Sequence, residues 1–236
     1  MAVGYNPSIV SDGLVLYFDA ANRRCYSGSG NTVNGLVGGI GATLVNGVGF
    51  TSTNNGSFVF DGTNDYIVVP HSSSISASTT NSFTLSTWFL STVNGTSSTL
   101  EIVNKRNNTG GPTYVSYGLS WRRVSTTDTV FARVGFTDTS VSDLNSTALN
   151  QNAWYSATET FDGTNHKLYI NGALNQSGSI SGKTILDDGF PLTINSYTGS
   201  SEFLAGNTSI VLYYNRALSE QEILQNFSAT RFRYGI

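Results

Sequence analysis

At 236 residues and 25.2 kDa, with 39% hydrophobic and 12% aromatic residues, the chain is long enough to fill one two-sheet core and too aromatic to be disordered. Only 11% of residues are charged, the net charge is -3 and the pI is about 5.2, so the clustered Lys and Arg of a nucleic-acid groove are missing and nucleic acid is excluded as a partner. The lone Cys25 rules out an intrachain disulfide and a multi-cysteine metal site, and no apolar run nears the roughly 18 residues of a membrane span, which excludes membrane insertion.

Residues 1–12 read as an N-terminal arm without the basic and apolar regions of a secretory signal, which predicts a protein made in a cytoplasm and kept or assembled there. Strand patterning begins at residues 14–19, and the Gly-rich stretch 24–49 reads as loop. The string Phe60-Asp61-Gly62-Thr63-Asn64 recurs as Phe161-Asp162-Gly163-Thr164-Asn165. Because Asp-Gly tolerates the positive φ of tight turns, each copy predicts a hairpin, joining residues 57–60 to 65–69 and 155–161 to 166–170. Further strands are expected at 83–90 and 100–104. Tyr117, Leu119 and Trp121 alternate with smaller or polar residues, as do Val130, Ala132, Val134 and Phe136. Residues 137–152, rich in Ser, Thr and Asn, read as loop; Asn171-Gly172 extends a meander to about residue 175, and strands follow at 192–197 and 210–214. Pairing of the first strand with the last is expected.

Ser219 and Glu222 have the spacing of a capping box, with Leu218 and Ile223 placed for a hydrophobic staple, and Ile223, Leu224 and Phe227 give a short helix over 219–228 an apolar side. In the tail, 228–236, the residues Phe232, Tyr234 and Ile236 alternate with Arg231 and Arg233, which predicts a closing edge strand. Arg231, Phe232, Arg233 and Tyr234 are the candidate assembly contact.

The runs 58–70, 83–89 and 154–172, taken in order with the closing strand and helix, resemble the concanavalin A-like, laminin G-like jelly roll over residues 13–227. The fold expected is all-β: a two-sheet antiparallel sandwich with one short C-terminal helix. The opening 13–22 and the ending 225–236 resemble those of jelly-roll proteins of tailed phages. That resemblance implies a virion component such as a capsid decoration, head fibre or tail-associated protein, whose partners are other virion proteins or copies of itself. It also implies Ca²⁺ or sugar binding at rim loops. Relatives often carry an acid where Ser209 stands, so Ca²⁺ would rely on Asp61, Asp65 or backbone carbonyls; no metal residues are assigned.

A glycosidase needs two carboxylates about 5 to 9.5 Å apart across the bond. No strand shows the alternating acids of a glucanase: Glu101 is isolated, and Glu159 has Ala157 and Phe161 as its same-face neighbours. His71 and His166 read as exposed, and residues 178–182 place Ile where a nucleophile elbow needs Ser. No catalytic residues are assigned. Trp88, Trp121 and Trp154 read as core, leaving Tyr26, Tyr114, Phe190 and Tyr197 as candidate rim residues for a sugar. The leading expectation is a non-enzymatic virion structural protein binding host-surface glycan; a free lectin and a degenerate glycoside hydrolase are the alternatives.

Overall fold

The computed structural model describes residues 7–93, 98–107, 115–186 and 189–236. Strands β1 (Leu14–Asp19), β2 (Thr32–Val33), β3 (Ala42–Val45), β4 (Gly49–Thr51), β5 (Ser57–Asp61), β6 (Tyr66–Val69), β7 (Phe83–Ser91) and β8 (Ser98–Arg106) come first. They are followed by β9 (Val115–Val124), β10 (Thr127–Gly135), β11 (Val141–Asn145), β12 (Trp154–Phe161), β13 (Asn165–Ile170), β14 (Ala173–Ser179), β15 (Leu192–Ile194), β16 (Ala205–Tyr214) and helix α1 (Glu220–Thr230). One sheet has the order β14-β13-β12-β7-β16-β5-β4, with β1 lying beyond β5 along the same side of β16. The other has the order β11-β10-β9-β8-β15-β6-β3-β2. The first strand pairs with the last, as expected.

Period-two patterning sets the interior. Phe83, Leu85 and Phe89 of β7, Tyr117, Leu119 and Trp121 of β9, and Val211 and Tyr213 of β16 all point between the sheets and are almost fully buried. Tyr117 bridges the two layers, its ring 4.8 Å from Phe83 and 5.2 Å from Tyr213.

The duplicated turn string has two outcomes. Around Asp162 it makes the expected β12–β13 hairpin, with the Thr164 and Asn165 amides donating to Asp162 Oδ1 at 2.9 and 2.6 Å. Around Asp61 no hairpin forms, because β5 pairs with β16 in one sheet and β6 with β15 in the other. The Asx turn is the same, with Thr63 N–H donating to Asp61 Oδ1 at 2.7 Å, but it makes a corner between layers. Local turn chemistry fixes the bend, and the strand that lies alongside decides the partner. The stretches 24–49 and 137–152, expected as loop, contribute the short strands β2, β3 and β11, of which β2 and β11 are the two edges of their sheet.

Ser219 caps α1 as expected: its Oγ accepts from Glu222 N–H at 3.3 Å, and its own N–H donates to Glu222 Oε2 at 2.8 Å. Arg216 holds the far side of that carboxylate, and its guanidinium keeps the Glu222 carboxyl down at about 2. The helix covers the outer face of the first sheet, where Trp88, Ile210, Leu212 and Tyr214 pack with Leu218, Ile223, Tyr234 and, from the N-terminal arm, Val10. Trp88 lies beneath the helix, its Nε1–H donating to Thr230 Oγ1 at 2.9 Å, whereas Trp121 sits in the central core and Trp154 is half-buried.

The tail is not an edge strand. With no helix breaker after the capping box, α1 runs to Thr230 and tightens into a 3-10 turn over Arg231–Tyr234, which Gly235 ends at φ 73. That rotation turns Arg233 and Tyr234 inward and leaves Arg231 and Phe232 exposed. Tyr234 stacks on Trp88 with ring centres 3.9 Å apart. The Arg233 guanidinium meets both Asp19 oxygens at 3.0 Å and takes the Ser209 hydroxyl as an acceptor at 3.0 Å.

His166, expected at the surface, lies between the sheets. Its Nε2 is 2.9 Å from Glu159 Oε1 and its Nδ1 is 2.9 Å from Ser142 Oγ of the edge strand β11. Neither His166 nor Glu159 has any exposed side-chain surface. Burial pushes the Glu159 carboxyl well up and the His166 imidazole down to about 3. A charge-relay serine needs its base on a reachable hydroxyl together with oxyanion donors. Ser142 does not line the groove across β8, β9 and β10, and the trio forms a polar bridge joining β11 to β12 and β13.

Two predictions follow from these interior charges. Removing Arg233 strands a buried Asp19, so Arg233→Met is expected to cost about 3 kcal/mol in urea unfolding, with Asp19→Asn in the same chain recovering part of it. An Arg233→Met chain as stable as wild type would show the pair to be dispensable. For the Glu159–His166 pair, the folded state holds one proton in total. The unfolded pair, titrating near 4.5 and 6.5, also holds one between those values, two below them and none above. Stability is therefore level across that window. It falls on acidification below 4.5, where the unfolded chain gains a proton that the fold excludes, and falls again above 6.5, where the fold retains a proton that the unfolded chain releases. Each limb has a slope of about 1.4 kcal/mol per pH unit. Urea midpoints across pH, compared with a Glu159→Gln, His166→Gln chain, should show both limbs in wild type alone; a pH-independent difference between the two proteins would refute the shared proton.

Candidate functional site

With α1 over one sheet, the second sheet keeps its outer face open, and a groove of about 320 Å³ runs across β8, β9 and β10 there. Two sequence devices make it. On β9, Gly118 and Ser120 form a low floor; a Cβ at 118 would stand 2.7 Å from the Asn104 Cβ. On β8, the register against β9 shifts between Glu101 and Val103, so that Thr99 and Glu101 before the bulge and Asn104 and Arg106 after it all face the groove, while Ile102 and Val103 enter the core.

One end of the groove is a carboxylate pair. The loop between β15 and β16 pairs back onto β8, with Glu101 N–H donating to Glu202 O at 2.9 Å, and sets the Glu202 side chain against Glu101. Glu202 has a left-handed φ of 54, a conformation costly for a non-glycine residue and held here by that pairing. Arg106 donates to Glu101 Oε1 and, at 3.4 Å, to Glu202 Oε2; Ser120 Oγ donates to Glu101 Oε2 at 2.8 Å. Burial pushes the Glu101 carboxyl up to about 7, the Arg106 guanidinium opposes this, and the adjoining Glu202 adds to it.

The other end is cationic. Arg122 and Arg133 lie against the buried Phe131 ring, their guanidinium carbons 4.3 and 5.0 Å from its centre. From the edge strand, Asp143 accepts two bonds from Arg133 at 2.7 Å each, and Asn145 accepts one from Arg122 at 3.4 Å.

Of the expected rim residues, Tyr197 alone is placed on this groove. Arg106 covers one face of its ring at 4.6 Å, and its hydroxyl donates to Asn107 O at 3.2 Å, so it walls the groove rather than offering a bare stacking platform. Tyr26 is core: it packs against Phe58 at 5.2 Å and is 4% exposed. Phe190 is 38% exposed but lines no part of the groove, and Tyr114 lies outside the described residues. Sequence reading left Glu101 isolated and passed over Arg106, Arg122, Arg133 and Glu202. Arg122 and Arg133 were legible as polar positions on the outward register of amphipathic strands, whereas Arg106 depends on a bulge that alternation does not reveal.

The oxygens proposed for Ca²⁺ are engaged elsewhere. Asp61 and Asp65 both accept backbone amides within the corner, and no three His, Cys, Asp or Glu side chains gather among the described residues. At Ser209 a cation is already present, the Arg233 guanidinium, among the Asp19 carboxylate, Ser209 Oγ and the Asn54 carbonyl. These residues do not fit a Ca²⁺ ion as they stand.

No curated protein sequence matches the chain. Among solved structures, the binding domain of Paraclostridial Mosquitocidal Protein 1 superposes with a TM-score of 0.70 at 18% identity, covering 91% of this chain and 52% of that one. Trypanosoma rangeli sialidase, in complex with 2,3-difluorosialic acid, gives 0.67 at 15% identity over 96% of this chain and 34% of its own. Domain 4 of AbnA, a GH43 extracellular arabinanase from Geobacillus stearothermophilus in complex with arabinotriose, gives 0.65 at 13% identity, with 92% and 99% covered. The chain spans only about half of the first of these and a third of the second, and at such identities the likeness is one of fold. The sequence family described as the concanavalin A-like lectin/glucanases superfamily matches residues 61–224, from the Asp61 corner to the first turns of α1. With its two antiparallel sheets and single terminal helix, the chain belongs to that superfamily.

Proposed function

We propose that the chain is a non-enzymatic, saccharide-binding jelly roll carried by a tailed-phage particle, with the groove on the open sheet as its glycan site. The observation that carries the reading is the groove itself: on a sandwich whose other outer face is sealed by α1, the Gly118 and Ser120 floor leaves a recess bordered by groups that hydrogen-bond hydroxyls. Thr99 offers a hydroxyl, Glu202 a half-exposed carboxylate, and Arg122 a fork of donors, the chemistry that fixes sugar hydroxyls in place. The arabinotriose bound in the structurally similar AbnA domain, nearly all of whose length is matched, agrees with this use of the fold.

Hydrolysis is disfavoured on geometry. Glu101 and Glu202 both lie on the same nitrogen of Arg106, whereas a glycosidase holds its carboxyl groups about 5 to 9.5 Å apart with the scissile bond between them. The particle assignment rests on the phage-like opening and ending of the sequence and on its sparse charge. A hydroxyl- and amide-rich surface packs against neighbouring subunits with little desolvation of ions. Arg231 and Phe232, the members of the tail motif left exposed, are the part of it that could meet a neighbour, another virion protein or a second copy.

Thr99→Trp, which places an indole in the groove without touching the core, is expected to weaken glycan binding at least tenfold in titration calorimetry while leaving the urea midpoint unchanged. Binding undiminished in that variant would remove the groove from the function. For the particle role, the protein should co-sediment with purified virions in density gradients, and its absence from every particle fraction would exclude it.

A further inference from the structure

Resting on the groove as a glycan site, the inference concerns which glycans it selects. On the outer face of the open sheet, Arg133 of β10 and Arg122 of β9 both reach the edge strand β11, the first to the residue directly opposite it and the second diagonally across β10. Arg133 is neutralised by Asp143 through two bonds of 2.7 Å; the β11 partner of Arg122 is an amide, Asn145, at 3.4 Å. Among the described residues no carboxylate pairs with Arg122, and its other contact is the Phe131 ring. The two guanidinium groups meet the same ring, so Arg122 also has a like charge beside it. At the far end, Glu101 and Glu202 both lie against the Arg106 guanidinium, so that cation has its carboxylate partners within the chain. Among the three arginines lining the groove, Arg122 is the one without a carboxylate partner among the described residues. A half-buried guanidinium with an amide in place of a carboxylate lacks its charge partner, and its planar fork matches an oxyanion.

We propose that the groove selects acidic saccharides, with Arg122 receiving a carboxylate or sulfate of the sugar and the Thr99 and Glu202 end taking its hydroxyls. The ligand's oxyanion supplies the charge that Asn145 lacks, and Phe131 keeps both guanidinium groups flat beneath it.

The test uses an array of uronate-containing, sulfated and neutral glycans, each acidic member paired with its methyl-esterified or desulfated form, followed by titration of the strongest acidic binder. Wild type is expected to bind the acidic form at least tenfold more tightly than its neutralised form, with the preference shrinking as NaCl rises. Whether uronate or sulfate leads identifies the source of the charge. Arg122→Gln should abolish the preference, and Asn145→Asp, which supplies the missing carboxylate from within the chain, should do so as well, each read as the ratio of acidic to neutralised binding within the same variant. Equal binding of acidic and neutralised forms by wild type, or a preference that survives in both variants, would overturn the inference while leaving a neutral-glycan groove intact. If no glycan binds and Thr99→Trp has nothing to lose, the groove reading itself has failed and the inference falls with it.

Discussion

The position of β16 constrains everything else. This last strand does not close an edge: it enters the middle of its sheet, with β7 on one side and β5 and β1 end to end on the other. Its inner face supplies Val211 and Tyr213 to the core and its outer face supplies Ile210, Leu212 and Tyr214 to the helix, so core and helix meet along its ten residues. The sheet has no hydrogen-bonded middle until that strand arrives, which makes the domain one of long-range pairings throughout. It also places α1, joined to β16 by a short link, directly over the sheet that β16 completes. Thr84 fastens this link, its hydroxyl donating to Arg216 O at 2.9 Å and accepting from Leu218 N–H at 2.8 Å.

An asymmetry between the two sheets results. On the helix-covered side the outer positions of β7 and β16 are apolar or hydrogen-bonded within the protein, and the indole of Trp88 lies under Tyr234. On the open side the corresponding positions of β8, β9 and β10 are polar, small or cationic. Each sheet thus alternates correctly for a sandwich, but what its outer residues face differs: protein in one case, solvent and ligand in the other. The groove occurs where it does because the single helix is already used.

The fold was legible in the sequence because its signals are local and redundant. Alternation in β9 and β10, the Asp162 hairpin, the Asn171-Gly172 meander and the Ser219–Glu222 cap each state one element without help from the rest. What was not legible depends on partners distant in sequence. The two copies of the Asp-Gly string are locally the same, yet one joins paired strands and the other changes layer, since β16 and β15 lie some 130 to 150 residues beyond the first copy. The tail alternated like a strand but continued a helix whose stop signal comes only at Gly235. The site was half visible. Arg122 and Arg133 follow from strand register, but Glu101 gained its neighbours from a bulge five residues before Arg106 and from a loop a hundred residues later, neither of which a linear pattern contains.

Charge is scarce in this chain, which gives each charge more meaning. Surface ion pairs contribute little to stability, and a protein solvated by Ser, Thr and Asn has no need of many. Yet five of the nine arginines are placed with named acids: Arg233 with Asp19, Arg216 with Glu222, Arg123 with Asp128, Arg133 with Asp143, Arg106 with Glu101. Several of these serve the geometry of a particular junction, closing the tail onto β1 or clamping the helix cap. Against that habit, a groove arginine whose β11 partner is an amide stands out by the same logic that explains the others. Arg23, Arg24 and Arg231 also have no acid among the described residues, but they stand exposed to water, whereas Arg122 is half-buried in a groove, where an acidic ligand would supply the charge that Asn145 lacks.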